Sequence, residues 1–268
     1  MPEGRTAAFF DVDNTLVRGA SVYLVARGLH SRGLVGTWPI LRGLWYQLGY
    51  RLAGERRRHL TVARESLLAT IAGLTVAEIR QVTSEIYDEL IADRLWPGTV
   101  SVAQRHLAVG EQVWLVTAAP LEIARVIAER LGFTGALGTR AEHRDEVYTG
   151  RLVGGLLHGP AKAEAVRELA DERGLDLTTC HAYSDSRNDL PLLHAVGHPC
   201  AVNPDRALRR HARRAGWPVQ DFRTLRRWTG YGVAAAGTAA TAYGLTAALR
   251  RRARLPRGGS APNDRGTR

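Results

Sequence analysis

The sequence predicts an α/β fold: a parallel sheet with helices on both faces, one helical insert, and a basic, partly hydrophobic helical tail at the C-terminus. Three observations lead there. Short apolar runs stop abruptly at polar, often acidic, segments. These runs alternate with helical stretches, and residues 20–94 contain few strand-like runs. With 268 residues, 45% of them hydrophobic, the chain can bury a substantial core, which excludes wholesale disorder.

Ala7-Ala8-Phe9-Phe10 reads as a buried strand that ends at Asp11-Val12-Asp13-Asn14-Thr15. The stretch from 20 to 94 reads as helical, with Val76, Ile79, Val82 and Ile86 recurring at spacings of three and four. Pro97-Gly98 punctuates the return to alternating elements. A helix over 100–109, a strand over 112–117 and a helix over 121–131 follow. Residues 139–152 suggest a hairpin around Arg144-Asp145-Glu146. A helix over 161–173, a strand over 179–184 and a short strand over 198–202 complete the body.

Charge is unevenly spread. From Asp205 onward 15 Arg stand against three Asp, a net of +12, whereas residues 1–204 sum to −1. Such a tail suits nucleic acid or an anionic membrane face; the near-neutral body, with no aromatic-lined sheet motif, disfavours nucleic acid. Lys162 is the single lysine beside 36 arginines, so a compact ammonium at that place carries information. Two cysteines, Cys180 and Cys200, exclude a disulfide scaffold and read as small core residues. The N-terminus has no apolar leader, so a cytoplasmic location is expected.

In a parallel sheet, ligands sit beyond the carboxyl ends of the strands. There the sequence puts Asp11 and Asp13, then Thr117 with Ala118, then Ser184, Asp185, Asn188 and Asp189, while Lys162 opens a helix after Gly159-Pro160. Carboxylates crowded together repel unless a cation sits among them. Hard oxygens without companion His or Cys suit Mg²⁺, which is usually completed by substrate phosphate. The inference is a Mg²⁺-dependent phosphoryl-transfer site. His181, His194 and His198 lack zinc-site spacing and read as structural.

These residues carry a resemblance. Phe9-Phe10-Asp11-Val12-Asp13-Asn14-Thr15-Leu16, Leu115-Val116-Thr117-Ala118, Lys162, and Ser184-Asp185-Ser186-Arg187-Asn188-Asp189-Leu190-Pro191 resemble the four ordered motifs of the haloacid dehalogenase (HAD) superfamily. The texture resembles its phosphoserine-phosphatase-like, or SerB-like, branch, subfamily IB. The resemblance implies a Rossmann-like core over 1–19 and 95–204, and a helical cap over 20–94 that selects the substrate. It further implies that Asp11 is a nucleophile forming an aspartyl-phosphate, and that Asp13 is the general acid and base. Mg²⁺ would be held by Asp11, the Asp13 carbonyl and Asp185, with Asn188 and Asp189 supporting. Thr117, Ala118 and Lys162 would bind the phosphoryl group. Asp13 is a second acid that the dehalogenases lack, which favours a phosphate ester. Phosphoserine-specific relatives have a further acid shortly after the first motif; here Val17-Arg18-Gly19-Ala20-Ser21 has none, which disfavours phosphoserine.

The cap carries an aromatic helical face, Trp38, Leu41, Leu44, Trp45 and Leu48 with Tyr46 and Tyr50 nearby, that reads as cap core, as an apolar slot for an acyl or aromatic leaving group, or as a membrane contact. After a basic segment over 205–228, residues 228–249 run uncharged and could form a helix roughly 33 Å long. Its Ala, Gly and Thr content gives a weak insertion drive, so 229–250 reads either as a single membrane anchor or as a packing helix. Residues 251–268 read as disordered. The expected function is hydrolysis of a small or lipid-like phosphate monoester, optionally at an anionic membrane surface. The alternative is a membrane-associated regulatory or scaffold protein with little turnover.

Overall fold

The computed structural model describes residues 5–34 and 71–223. The candidate span over 229–250, the tail beyond it and the aromatic face of the insert lie outside the described residues. Among the described residues, no helix is long and apolar enough to cross a membrane.

The elements run β1 (Ala7–Phe10), α1 (Ser21–Ser31), α2 (Val76–Ile86), α3 (Pro97–Ala108), β2 (Gln112–Pro120), α4 (Leu121–Leu131) and β3 (Gly135–Thr139). A hairpin of β4 (Ala141–Arg144) and β5 (Val147–Leu152) follows. Then come α5 (Pro160–Arg173), β6 (His181–Ser184), α6 (Leu190–Leu193), β7 (His198–Val202), α7 (Arg206–Ala215) and β8 (Val219–Gln220). Between α2 and α3 the chain widens into a π turn at Tyr87–Ile91 and then tightens into a 3₁₀ turn at Ala92–Arg94.

Six strands form one parallel sheet in the order β3-β2-β1-β6-β7-β8. The chain winds outward from β1 to β3, then crosses to the other side of β1 and winds out to β8. Strand connections therefore diverge between β1 and β6, the switch point where such sheets open a crevice.

The period-two alternation of β1 divides the core. Ala8 and Phe10 join Leu24, Ile79, Ile86, Val102 and Ile127 on one face. Ala7 and Phe9 join Val166, Leu169, Leu192, Leu208 and Ala212 on the other. Both cysteines are free and buried.

The structure departs from the sequence reading at several places. Residues 206–220, read as the start of a basic tail, continue the sheet instead: α7 buries Leu208 and Ala212, and β8 pairs with β7. Asp205 caps α7 by accepting from the Leu208 amide at 2.7 Å. The strand expected from 179 starts at His181, because the Asp176 side chain ties Thr178 into a turn through its amide at 2.9 Å and its hydroxyl at 2.6 Å. β3 and β8 have no counterpart in the sequence reading. The hairpin lies where expected, with Asp145 and Glu146 both at positive φ, as a tight primed turn requires.

Candidate active site

Each acidic residue of interest follows a strand whose burial leaves its next residues at the sheet's carboxyl edge. β1 is wholly buried and ends at Asp11. The chain then turns sharply. Asn14 takes a left-handed conformation (φ 62°), and the Leu16 and Val17 amides both return to the Val12 carbonyl at 2.9 Å. This turn brings the Thr15 hydroxyl back to donate to Asp11 Oδ2 at 3.0 Å. The Thr15 carbonyl accepts from Thr99 at 2.8 Å, which fixes the loop to α3. Asp13 is half-buried; its Oδ1 accepts from the Ser21 amide at 2.8 Å and the Ser21 hydroxyl at 2.6 Å, at the start of α1.

Lys162 reaches the same place from the first turn of α5, which Gly159 opens at positive φ. Its ammonium donates to Asp11 Oδ1 at 2.6 Å and to Asp189 Oδ2 at 2.8 Å. Asp189 Oδ2 also accepts from Ser184 at 2.8 Å. Asp11, Lys162 and Asp189 are 5%, 3% and 2% exposed, so this ion cluster is desolvated and depends on its mutual pairing.

Thr117 is buried at the end of β2. β2 stops pairing regularly with β3 between Val116 and Pro120, so the backbone at 117–119 bulges. Within the bulge Thr117 Oγ1 accepts from the Ala119 amide at 3.1 Å, and the Ala118 carbonyl accepts from Thr139 at 2.9 Å. Asp185 follows β6; its carbonyl accepts from the Asp205 amide at 2.8 Å. Asn188 lies in the 3₁₀ turn that carries Asp189, with its amide on Ser186 Oγ at 3.2 Å.

The electrostatics show a surplus of negative charge. Burial, opposed by Lys162 but reinforced by Asp189 and Asp13, pushes the Asp11 carboxyl up to about 7. Burial, then Asp11 and Asp189, push Asp185 up to about 9. Burial opposes the charge on Lys162, but Asp11 and Asp189 outweigh it and raise its pKa. One ammonium thus serves several carboxylates. Hard oxygen donors with uncompensated charge fit a divalent cation such as Mg²⁺.

Of the residues singled out in the sequence, Asp11, Lys162 and Asp189 are in direct contact, and Asp13 and Asp185 lie within their electrostatic reach. Thr117 and Ala118 occupy the neighbouring strand end. Sequence reasoning missed Thr15 and Ser21 as partners of the two acids. It also missed the brace formed by Asn203 and Asp205. Asn203 donates to the Asn14 carbonyl at 3.3 Å and accepts from the Phe222 amide at 2.8 Å, while Asp205 accepts from the Arg187 amide at 2.9 Å. The one available signal was Asn203-Pro204-Asp205 directly after a strand.

The sequence profile of the haloacid dehalogenase-like hydrolases matches residues 8–194, from the first strand to the helix after Asp189. The chain belongs to this family. It is 50% identical over 244 residues to phosphoserine phosphatase SerB1 of Mycobacterium tuberculosis, covering 91% of this chain and 79% of that protein. A protein of unknown function from Bordetella pertussis has a crystal structure with a TM-score of 0.72 and 32% identity, covering 82% of this chain and 99% of that one. A substrate-bound phosphoserine phosphatase shares the fold, with a TM-score of 0.58 at 19% identity over 84% and 98% of the two chains. By this kinship the chain is an enzyme, a hydrolase of the phosphatase type.

Proposed function

We propose that this enzyme hydrolyses a small phosphate monoester through an aspartyl-phosphate on Asp11, with Mg²⁺ as cofactor. The observation that carries the reading is the buried contact of Lys162 with both Asp11 and Asp189 at the strand tips. A surface turn or helix cap would not bury such a cluster.

In the first step the Asp11 carboxylate attacks phosphorus, and the departing alkoxide takes its proton from Asp13. In the second, Asp13 takes a proton from water; the water oxygen attacks phosphorus and releases the Asp11 carboxylate. Two donors from Ser21 hold the Asp13 carboxyl for both transfers. Thr117 Oγ1 already accepts from the Ala119 amide, which leaves its own proton for a phosphoryl oxygen beside the Ala118 amide. Lys162 offsets charge on the transferring group, with Asp189 and Ser184 fixing its ammonium. Asp11, the Asp13 carbonyl and Asp185 would hold Mg²⁺, which when bound supplies Lewis-acid stabilisation of phosphoryl oxygens. Asn188 supports the turn that carries Asp189. The insert over 20–94 selects the leaving group, and the core over 1–19 and 95–204 performs the chemistry.

The named relative puts phosphoserine first among substrates to try. Against it stands the stretch after Asp13. Arg18 there donates to the Asp93 and Arg94 carbonyls and lies over the Trp96 ring at 5.7 Å, and no acid is present to meet a substrate amine. A phosphate-ester panel that includes phosphoserine and lysophosphatidic acid, run with Mg²⁺ and with EDTA, tests the proposal. Hydrolysis of at least one ester that needs Mg²⁺ and Asp11 is expected. Activity that survives both EDTA and Asp11→Asn rejects it.

A further inference from the structure

At the amino ends of the strands, on the sheet edge opposite Asp11 and Asp185, a second cluster of metal-ligating side chains comes together. His106 sits in the last turn of α3, Glu111 directly before β2, and His181 opens β6. Each offers one ligand atom, and the three atoms lie within 4.8 Å of one another in a half-buried setting. Asp185 lies four residues beyond His181 along an extended chain, about 13 Å away.

We propose that His106, Glu111 and His181 form a transition-metal site, suited to Zn²⁺ and separate from the phosphatase centre. Two imidazoles and one carboxylate, with a fourth position left to solvent, are a recurring Zn²⁺ donor set; in a tetrahedral site such atoms lie roughly 3.4 Å apart. Metal binding would therefore have to draw the most separated of these atoms closer than their present 4.8 Å limit. Imidazole donors also separate this site from the oxygen-only cluster around Asp11, which favours a hard cation.

Three further features support the geometry. First, His106 and Glu111 are held in place by their backbone, because the Glu111 amide donates to the His106 carbonyl at 3.0 Å across a turn containing Gly110 at φ 84°. Second, His106 Nδ1 faces Glu111 Oε2, while Nε2 lies 2.7 Å from the Tyr183 hydroxyl. An outer partner on the far ring nitrogen, which orients the ring and leaves the near nitrogen for the metal, is the usual second layer of a histidine metal site. Third, the His181 ring packs against His106 at 4.6 Å and His198 at 4.7 Å. Burial and then His106, opposed by Glu111 and aided by His198, hold its pKa below the usual histidine range. A metal here would join α3, β2 and β6 below the sheet.

The test uses the full chain with Mg²⁺ in excess, Zn²⁺ in equilibrium dialysis, and Co²⁺ as a spectroscopic stand-in. One Zn²⁺ per chain is expected, with a four-coordinate Co²⁺ spectrum. Both should vanish in Glu111→Gln and His181→Gln, and Tyr183→Phe should weaken binding by about tenfold. Asp185→Asn and His194→Gln should keep the signal, and Glu111→Gln should leave Mg²⁺-dependent turnover unchanged. Circular dichroism of each variant separates loss of the site from loss of the fold; if His181→Gln misfolds, Glu111→Gln, in a surface turn, decides the outcome. The proposal is overturned if no Zn²⁺ binds, if binding is indifferent to both substitutions, or if it disappears in Asp185→Asn.

Discussion

The ammonium of Lys162 meets Oδ1 of Asp11 at 2.6 Å across 151 residues of sequence, with both side chains almost wholly removed from solvent. This contact joins the start of α5 to the end of β1. It places a fixed positive charge against the group proposed to carry the phosphoryl intermediate.

Lys162→Met should therefore lower kcat by roughly 10²–10³, the usual effect of losing one preorganised electrostatic partner. Lys162→Arg should not restore it, because a planar guanidinium cannot take the place of a compact ammonium between two carboxylates. The Met variant leaves Asp11 and Asp189 without their shared cation, so its thermal midpoint should drop most at alkaline pH and least at acid pH. Steady-state kinetics and melting curves check both.

Chelation should expose a pH dependence of stability that Mg²⁺ conceals. Asp11 is raised from its ordinary 3.8 to about 7, and Asp185 to about 9. Between the unfolded and folded values the folded chain binds more protons than the unfolded one, so stability falls as pH rises through that window. In EDTA the thermal midpoint should decline from pH 5 to pH 9. Saturating Mg²⁺ should abolish the decline, since cation binding needs the ionised carboxylates and favours the folded state. Calorimetric scans in the two buffers are the measurement.

Gly138→Ala should damage the bulge proposed to bind the phosphoryl group without touching an ionisable group. A Cβ there would lie 2.7 Å from Leu121 Cα and 3.1 Å from the Ala119 carbonyl oxygen, both backbone atoms. A loss of about 1–3 kcal/mol is expected from urea unfolding. A larger proportional loss in kcat should accompany it, because Thr117 and Ala118 move with the strand end.

Asp205→Ala removes the acceptor for the Arg187 and Leu208 amides. Loss of the helix cap should cost about 1 kcal/mol. Loosening of the turn that carries Asp189 should raise the Mg²⁺ concentration needed for half-maximal activity. Asp205→Asn should restore only part of either, because the Arg187 and Leu208 amides use separate carboxylate oxygens and asparagine keeps just one acceptor.

Much of the core was legible because local pattern and tertiary role coincide there. β1 is a wholly apolar run that stops at Asp11, and α4 occupies the expected 121–131 because its apolar spacing and the left-handed Gly132 mark both face and end. β3 was hidden because Gly135-Ala136-Leu137-Gly138-Thr139 has little strand propensity and is accepted only where β2 and α4 crowd its glycines. α7 was hidden by its arginines; only Leu208 and Ala212, four apart, face the core. At the site, chain order pointed to Asp11, Asp13, Lys162 and Asp185. It said nothing of Thr15, Ser21 or Asn203, whose roles exist only once the turn after β1 is closed. The His106, Glu111 and His181 cluster is equally silent in sequence, since its members come from three separate segments.

The most direct measurement is an acid quench of the enzyme during turnover of a ³²P-labelled phosphate ester identified by the panel, with Mg²⁺ present, followed by peptide mapping. An aspartyl-phosphate mechanism predicts label on the peptide that contains Asp11, discharged by hydroxylamine and absent from Asp11→Asn. Steady hydrolysis with no label on that peptide, in an enzyme where Asp11→Asn remains active, would contradict it.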